Sequence, residues 1–187
     1  MKRMKFWVLL PAALLLVALA AGCDAEGVGD PCIPEDEYSR TFSGFAVSEV
    51  NTESRSFQCQ TRLCLVNHFQ GRVSCPYGQS SEQAAGDPQC RLPGSSGAVI
   101  AAVKPQLLDR RVDQAVYCSC RCAGPDPSAR YCECPSGFSC SPVVPNLELG
   151  QEQLPGSYCI RNDSGYDETR IDSARSCDRA LENCGEP

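Results

Sequence analysis

Closely spaced cysteines are the residues of this chain whose types and spacing most clearly indicate chemistry. They form the run Cys118-Ser-Cys120-Arg-Cys122 and the pair Cys132-Glu-Cys134. As thiolates they suit soft ions such as Cu(I) or Zn²⁺, and as half-cystines they hold a small domain together. Zinc sites favour Cys-x2-Cys spacing and often use histidine, and an oxidising compartment would pair these thiols first. We therefore favour disulfides over a metal array.

Other residues able to do chemistry are few. His68 is the only histidine, so a Ser-His or Cys-His pair has one candidate centre. It lies beside Phe69 in a predicted hairpin, where a surface role is typical. The sequence has no P-loop, dinucleotide-binding glycine set, His-Glu-x-x-His or Gly-x-Ser-x-Gly motif, and nothing selects one pair of carboxylates for acid-base work. We predict no catalytic residue, no metal site and no cofactor.

The first 22 residues have the composition of a signal peptide. A basic start is followed by a 16-residue apolar run, Phe6 to Ala21, which Pro11 interrupts and which is shorter than the roughly 20 residues that span a bilayer. Without this leader the chain keeps 14 of its 17 basic residues and all 23 acidic residues, which gives a formal net charge of -9. This balance argues against nucleic acid or an anionic membrane surface as the partner, because both require clustered Lys and Arg.

The apolar run closes in Leu19-Ala20-Ala21-Gly22-Cys23, which resembles the lipobox of bacterial lipoproteins. In that family the cysteine receives a diacylglyceryl thioether and cleavage occurs just before it, so the resemblance implies a lipid anchor on Cys23. Ala20 stands where the family favours leucine. The alternative is an ordinary signal peptide that precedes a structural cysteine. We expect an exported protein, lipid-anchored in the cell envelope at the inner or the outer membrane.

The cysteines beyond Cys23 number 14, an even count that permits seven disulfides. Their connectivity cannot be derived from the sequence. Cysteines two apart on a strand lie about 6.6 Å apart, too far to bridge easily, so Cys118, Cys120 and Cys122 should each have a different partner. The predicted half-cystines are Cys32, Cys59, Cys64, Cys75, Cys90, Cys118, Cys120, Cys122, Cys132, Cys134, Cys140, Cys159, Cys177 and Cys184.

The chain divides at changes of composition. Residues 23–31 are small, acidic and Gly-rich, as in a flexible tether. A disulfide-rich β module is predicted over 32–92, and the Pro93-Gly-Ser-Ser-Gly97 break opens a second module over 93–187, unless the two are one continuous domain. A hairpin is predicted over 61–75, around Gln70-Gly71. A two-residue loop leaves Cys64 and Cys75 diagonal, and a four-residue loop places them opposite each other.

Elements of the second module are also short. Its predicted strands cover 115–122, 131–134 and 157–161, the first two as a hairpin. A helix is predicted from Asp172 through Asn183, with Cys177 and Cys184 on one face that would be stapled to the rest of the domain. The predicted fold class is small and disulfide-rich, mainly β hairpins and irregular loops with a short C-terminal helix.

The segment Cys132-Glu-Cys134-Pro-Ser-Gly137-Phe138-Ser-Cys140 resembles the closing strand of EGF-like modules over nine residues, which implies a local turn at Gly137. The mature chain resembles the cysteine-rich, functionally uncharacterised lipoproteins of high-GC Gram-negative bacteria, which implies a class but no activity. We predict a non-catalytic binding or structural role at the envelope, with a protein or glycan partner. The alternatives are a lipoprotein that handles copper or zinc, and an envelope hydrolase that uses carboxylates.

Overall fold

The computed structural model describes residues 26–144, 155–164, 166, 167, 169 and 175–184. The predicted signal peptide, Cys23 and the first residues of the predicted tether lie outside this part of the chain. Among the described residues, no helix has the length and hydropathy needed to cross a membrane. The fold class is confirmed: two small antiparallel sheets with irregular loops and few helices, held by seven disulfides.

The first sheet has the strand order β1 (Val50–Glu53), β2 (Cys64–Asn67) and β3 (Val116–Cys118), all antiparallel. All four residues of β2 are buried because it is the central strand. Successive side chains of a strand point to opposite faces. Cys64 and Val66 accordingly belong to one core cluster and Leu65 to a second cluster, which also holds Tyr117 of β3.

The second sheet has the order β4 (Arg121–Ala123), β6 (Gly156–Arg161) and β5 (Phe138–Val144). The prediction of a strand at 157–161 agrees with β6. The two sheets meet where the chain passes from β3 to β4. There Ser119 donates a 2.8 Å hydrogen bond from its hydroxyl to the carbonyl of Cys159, and Tyr117 packs edge-on against Phe138.

The helices are single turns. A 3-10 helix covers Glu35–Tyr38, α1 covers Ser81–Ala85 and α2 covers Val112–Ala115. A capping box holds α1, because the Ser80 hydroxyl accepts from the Gln83 backbone N–H and the Gln83 side chain accepts from the Ser80 N–H. Five residues gain little from helix propagation, so this cap is what stabilises α1.

All fourteen predicted half-cystines are paired. As the spacing argument requires, Cys118, Cys120 and Cys122 have three different partners, namely Cys59, Cys132 and Cys140. The other pairs are Cys32–Cys64, Cys75–Cys90, Cys134–Cys159 and Cys177–Cys184. Both the β2–β3 pairing and the Cys59–Cys118 bond join residues on the two sides of the predicted module boundary at 93–97.

The predicted hairpin over 61–75 is wrong. Both edges of β2 are occupied by β1 and β3, so the chain after Asn67 has no edge on which to return. It turns away at His68, whose φ is +53°, and Gly71 instead exchanges two backbone hydrogen bonds with Phe45, at 2.8 and 3.0 Å. Gly71 has a φ of +87°, and a Cβ there would lie 2.4 Å from the Lys104 carbonyl oxygen. The close approach therefore requires glycine.

Two further predictions fail in the second half of the chain. Residues 131–134 form no strand; β4 pairs with β6, and one hydrogen bond, from Cys132 N–H to the Arg121 carbonyl, remains of the expected hairpin. Residues 175–184 form turns, while the expected helix start at 172–174 lies outside the described residues. On a helix, seven residues rise about 10.5 Å, whereas the Cys177–Cys184 bond brings the two Cα atoms to 5.4 Å. The disulfide therefore excludes the helix.

Candidate functional site

His68 is built into the fold rather than into a cleft. Its Nδ1 donates to the Val47 carbonyl at 3.0 Å, and its ring stacks on that of Tyr166 with 3.7 Å between ring centroids. Its backbone carbonyl accepts from the buried side chain of Arg110. His68 is not among the residues that line three cavities of the described part of the chain. Its contacts are thus those of a packing residue, not of a base held beside a nucleophile.

Burial lowers the pKa of His68, with the nearby Arg110 charge acting in the same direction and the hydrogen bond to Val47 opposing it. The ring is therefore neutral at pH 7. Because its folded pKa lies below the unfolded value of 6.5, the protein should lose stability as the pH falls below about 6.5. His68→Asn, which tolerates a positive φ, should keep the fold and show less of this loss. Melting temperatures of the wild type and of His68→Asn between pH 5 and 7 measure this loss of stability. The same decrease in melting temperature with pH for both proteins would contradict the prediction.

Carboxylates are not brought together in any of these three cavities of the described residues. Of the three cavities, one is lined by Asp113, one by Glu49 and one by no acidic residue. Glu53 has a raised pKa, chiefly through burial, but its Oε2 accepts from the Glu35 backbone N–H at the protein surface. Glu37 is fully buried and paired with Arg72. The linings of these three cavities therefore offer no pair of carboxylates of the kind a hydrolase needs.

Sulfur atoms lie in three groups whose members are within 4.8 Å of one another, the geometry of a metal site. The groups are Cys32, Cys59 and Cys118; Cys120, Cys132 and Cys159; and Cys122, Cys134 and Cys140. Each contains a complete disulfide and one sulfur of another disulfide. Metal ions bind cysteine as the thiolate, and every cysteine of these groups is in a disulfide. The groups are therefore neighbouring disulfides and not sets of metal ligands.

This stacking predicts disulfide exchange when one partner is removed. Cys159 Sγ lies 3.6 Å from Cys120 Sγ and 3.7 Å from Cys132 Sγ. In Cys134→Ser, the Cys159 thiolate should attack the Cys120–Cys132 bond, form a new disulfide with one sulfur and release the other as a thiolate. Peptide mapping by mass spectrometry after acid quenching should find Cys159 bridged. The control is Cys75→Ser, which leaves Cys90 without its disulfide partner; Cys90 belongs to none of the three sulfur groups. If Cys159 in Cys134→Ser is found as a free thiol as often as Cys90 in Cys75→Ser, the prediction is contradicted.

A polar cavity of about 420 Å³ lies between the β1–β2 loop and the segment that joins β3 to residue 132. Its polar lining residues are Arg62, Arg121, Arg130, Ser54, Thr61 and Tyr158. None of its lining residues is acidic. We call it the arginine cavity. Among the three cavities it is the one that gathers several like charges without a lining counter-charge.

Local structure holds two of these arginines. Arg62 has a φ of +63°, its N–H donates to the Cys59 carbonyl, and its guanidinium carbon lies 4.5 Å from the centroid of the Phe57 ring. Arg121 is on β4, where its Cα is opposite Tyr158 of β6, and its guanidinium carbon lies 5.3 Å from the centroid of the Tyr131 ring. Such contacts between a cation and an aromatic face limit the rotamers of the arginine.

Phe57 stands at the tip of the same loop and is 88% exposed. The loop is fixed at its base by the Cys59–Cys118 bond, and Gln58 makes two hydrogen bonds with the backbone of Ile33. An exposed aromatic ring on a fixed loop is typical of a contact residue in a protein interface. The sequence did not reveal this site, because residues 62, 121 and 130 are remote in the chain and are brought together by the fold.

Electrostatics at the cavity favour anions. Burial raises the pKa of Tyr158, so its phenol is protonated at neutral pH. Asp126, which is outside the lining, interacts with the Arg121 charge; its pKa is lowered chiefly by hydrogen bonds from Ser128, with the Arg121 charge a smaller cause. The hydroxyl oxygen of Thr61 is buried and has no hydrogen-bond partner.

Comparison of the chain with protein-family models, curated proteins and solved structures found no match.

Proposed function

We propose that this protein is an exported lipoprotein, anchored through a lipid on Cys23, that binds a protein or glycan partner in the cell envelope without catalysing a reaction. The leader and the Leu19-to-Cys23 motif support the anchor. The seven disulfides suit an oxidising, exported environment. Since Glu26, the first described residue, follows Cys23 by three positions, the folded domain would lie close to the membrane.

The observation that carries the binding role is the arginine cavity together with Phe57, whose ring lies against Arg62 of the cavity lining. A fixed loop that displays an aromatic ring beside a cavity lined by three arginines has the composition of a recognition surface. The Phe57 ring is almost fully exposed to solvent, so its burial contributes little to the stability of the fold. For the hydrolase alternative, none of the three cavities of the described residues gathers two carboxylates.

Two experiments test this function. Labelling cells with a fatty-acid analogue should mark the wild-type chain and not Cys23→Ser; equal labelling of both would refute the anchor. A photo-crosslinking amino acid at position 57 should capture a discrete envelope partner in living cells. The control places the crosslinker at Leu181, which is 70% exposed on the 177–184 loop. The same adducts from both positions would contradict a binding surface at Phe57.

A second candidate function, copper or zinc handling, is favoured by the three sulfur groups alone. It requires thiols rather than disulfides in the exported protein. Alkylation without reductant, followed by mass spectrometry, should modify no cysteine from Cys32 to Cys184. Two or more reproducibly alkylated positions among Cys118 to Cys134 would support the metal function instead.

A further inference from the structure

We propose that the arginine cavity binds a tetrahedral oxyanion, a phosphate or sulfate group, and that this group is the feature by which the partner is recognised. The inference rests on the proposed binding role and not on the lipid anchor. It assigns a ligand class to a site that is otherwise known only by its lining.

The charge of the cavity selects an anion. Arg62, Arg121 and Arg130 line it, and the full lining contains no carboxylate. The chain as a whole is acidic, with a net charge of -6, so this concentration of positive charge is local. Guanidinium groups present several N–H donors in a planar fork that matches the oxygens of phosphate and sulfate. Three of them around one space can satisfy an oxyanion from several directions.

The site is also preorganised. The Phe57 and Tyr131 rings lie beside the guanidinium groups of Arg62 and Arg121, and the Cys120–Cys132 disulfide forms part of the wall. Because these groups are already placed, a ligand loses less affinity to the ordering of side chains than it would on a flexible surface. A bidentate contact to an oxyanion depends on such fixed orientation.

The size of the cavity points to more than a bare ion. A volume of about 420 Å³ equals roughly 14 waters of the liquid, at about 30 Å³ each. It falls within the range of small-molecule sites. The oxyanion is thus expected to be attached to a body of about the size of a sugar or of a lipid headgroup.

Binding is tested with the whole protein in a non-ionic detergent, by isothermal titration calorimetry at low salt. The probes are inorganic phosphate, inorganic sulfate, glycerol 3-phosphate as the headgroup form and glucose 6-phosphate as the glycan form, with glucose as the uncharged comparison. Arg62→Gln and Arg130→Gln should each weaken phosphate binding about tenfold or more. Arg55→Gln is the matched control, because Arg55 lies on the same loop outside the cavity and the charge change is identical.

The outcomes separate the inference from the proposed function. Saturable binding that depends on Arg62 and Arg130 but not on Arg55 supports the inference, and the tighter of the two organic phosphates identifies the source of the oxyanion. No binding of any anion, or equal weakening by all three variants, overturns it. Specific crosslinking from position 57 would in that case still support the binding function, with recognition by another chemistry.

Discussion

Reduction of the seven disulfides is expected to unfold the domain. The described strands have three to seven residues and form two three-stranded sheets, and the helices have four or five residues. Elements this short bury little apolar surface between them. Among the residues that the structure describes, ten of the 25 buried apolar ones are half-cystines, so the bridges are also much of the core. A native disulfide contributes about 2–4 kcal/mol, against a typical folding free energy of about 5–15 kcal/mol. Losing several bridges should therefore exceed the stability of the domain.

Circular dichroism with and without reductant measures this unfolding, and an unchanged spectrum and melting temperature would contradict it. Single bridges provide a graded test. The Cys59–Cys118 bond closes a separation of 59 residues and the Cys177–Cys184 bond one of 7, which correspond to about 4 and about 2 kcal/mol of loop entropy. Replacing Cys59 and Cys118 by alanine should thus cost more stability than the same change at Cys177 and Cys184. The reverse order would contradict this expectation, because loop closure and burial both favour a larger contribution from the Cys59–Cys118 bond.

Sequence reasoning succeeded where the signal is local. The composition identified a disulfide-rich β protein, the β-prone run at 157–161 is a strand, and the geometry of Cys-x-Cys required separate partners for Cys118, Cys120 and Cys122. These inferences depend on strand periodicity and covalent reach, which neighbouring residues determine.

It failed where the partner of a segment is remote. The run Cys64–Asn67 is a strand, but the pattern of its side chains does not indicate which segments pair with it. In the structure residues 50–53 and 116–118 pair with its two edges. The predicted C-terminal helix had suitable capping residues, yet the bond between Cys177 and Cys184 requires a closed loop. The arginine cavity was missed for the same reason, since no spacing rule relates residues 62, 121 and 130.

A fully buried ion pair is the second feature with a large expected effect. Glu37 Oε2 lies 3.3 Å from Arg72 Nε, and both side chains are 0% exposed. The Glu37 carboxylate also accepts from the Val73 N–H at 2.6 Å and from the Ser74 hydroxyl at 2.6 Å. The Arg72 guanidinium donates to three backbone carbonyls, those of Glu37, Ser39 and Phe42. The pair thus joins the 3-10 helix and the loop after it to the turn that follows β2.

Removing one member should therefore cost far more than losing a surface pair. Arg72→Met leaves a buried carboxylate without its cation and three carbonyls without donors, which we expect to cost about 3–5 kcal/mol. Glu37→Gln/Arg72→Met should cost less than the sum of the single changes, because the double variant leaves no buried charge. The control is Arg175→Met, which breaks the exposed pair with Asp109 and should cost about 1 kcal/mol or less.

Urea unfolding at pH 7 with the disulfides intact measures these costs for wild type, Glu37→Gln, Arg72→Met, Glu37→Gln/Arg72→Met and Arg175→Met. The decisive comparison is between Arg72→Met and the double variant, because only the single variant leaves a charge in the buried site. A deficit for Arg72→Met no larger than that of Arg175→Met, or a double variant as costly as the sum of its single changes, would show that the domain relaxes to admit water around Glu37 and that the ion pair is not what holds this turn in place.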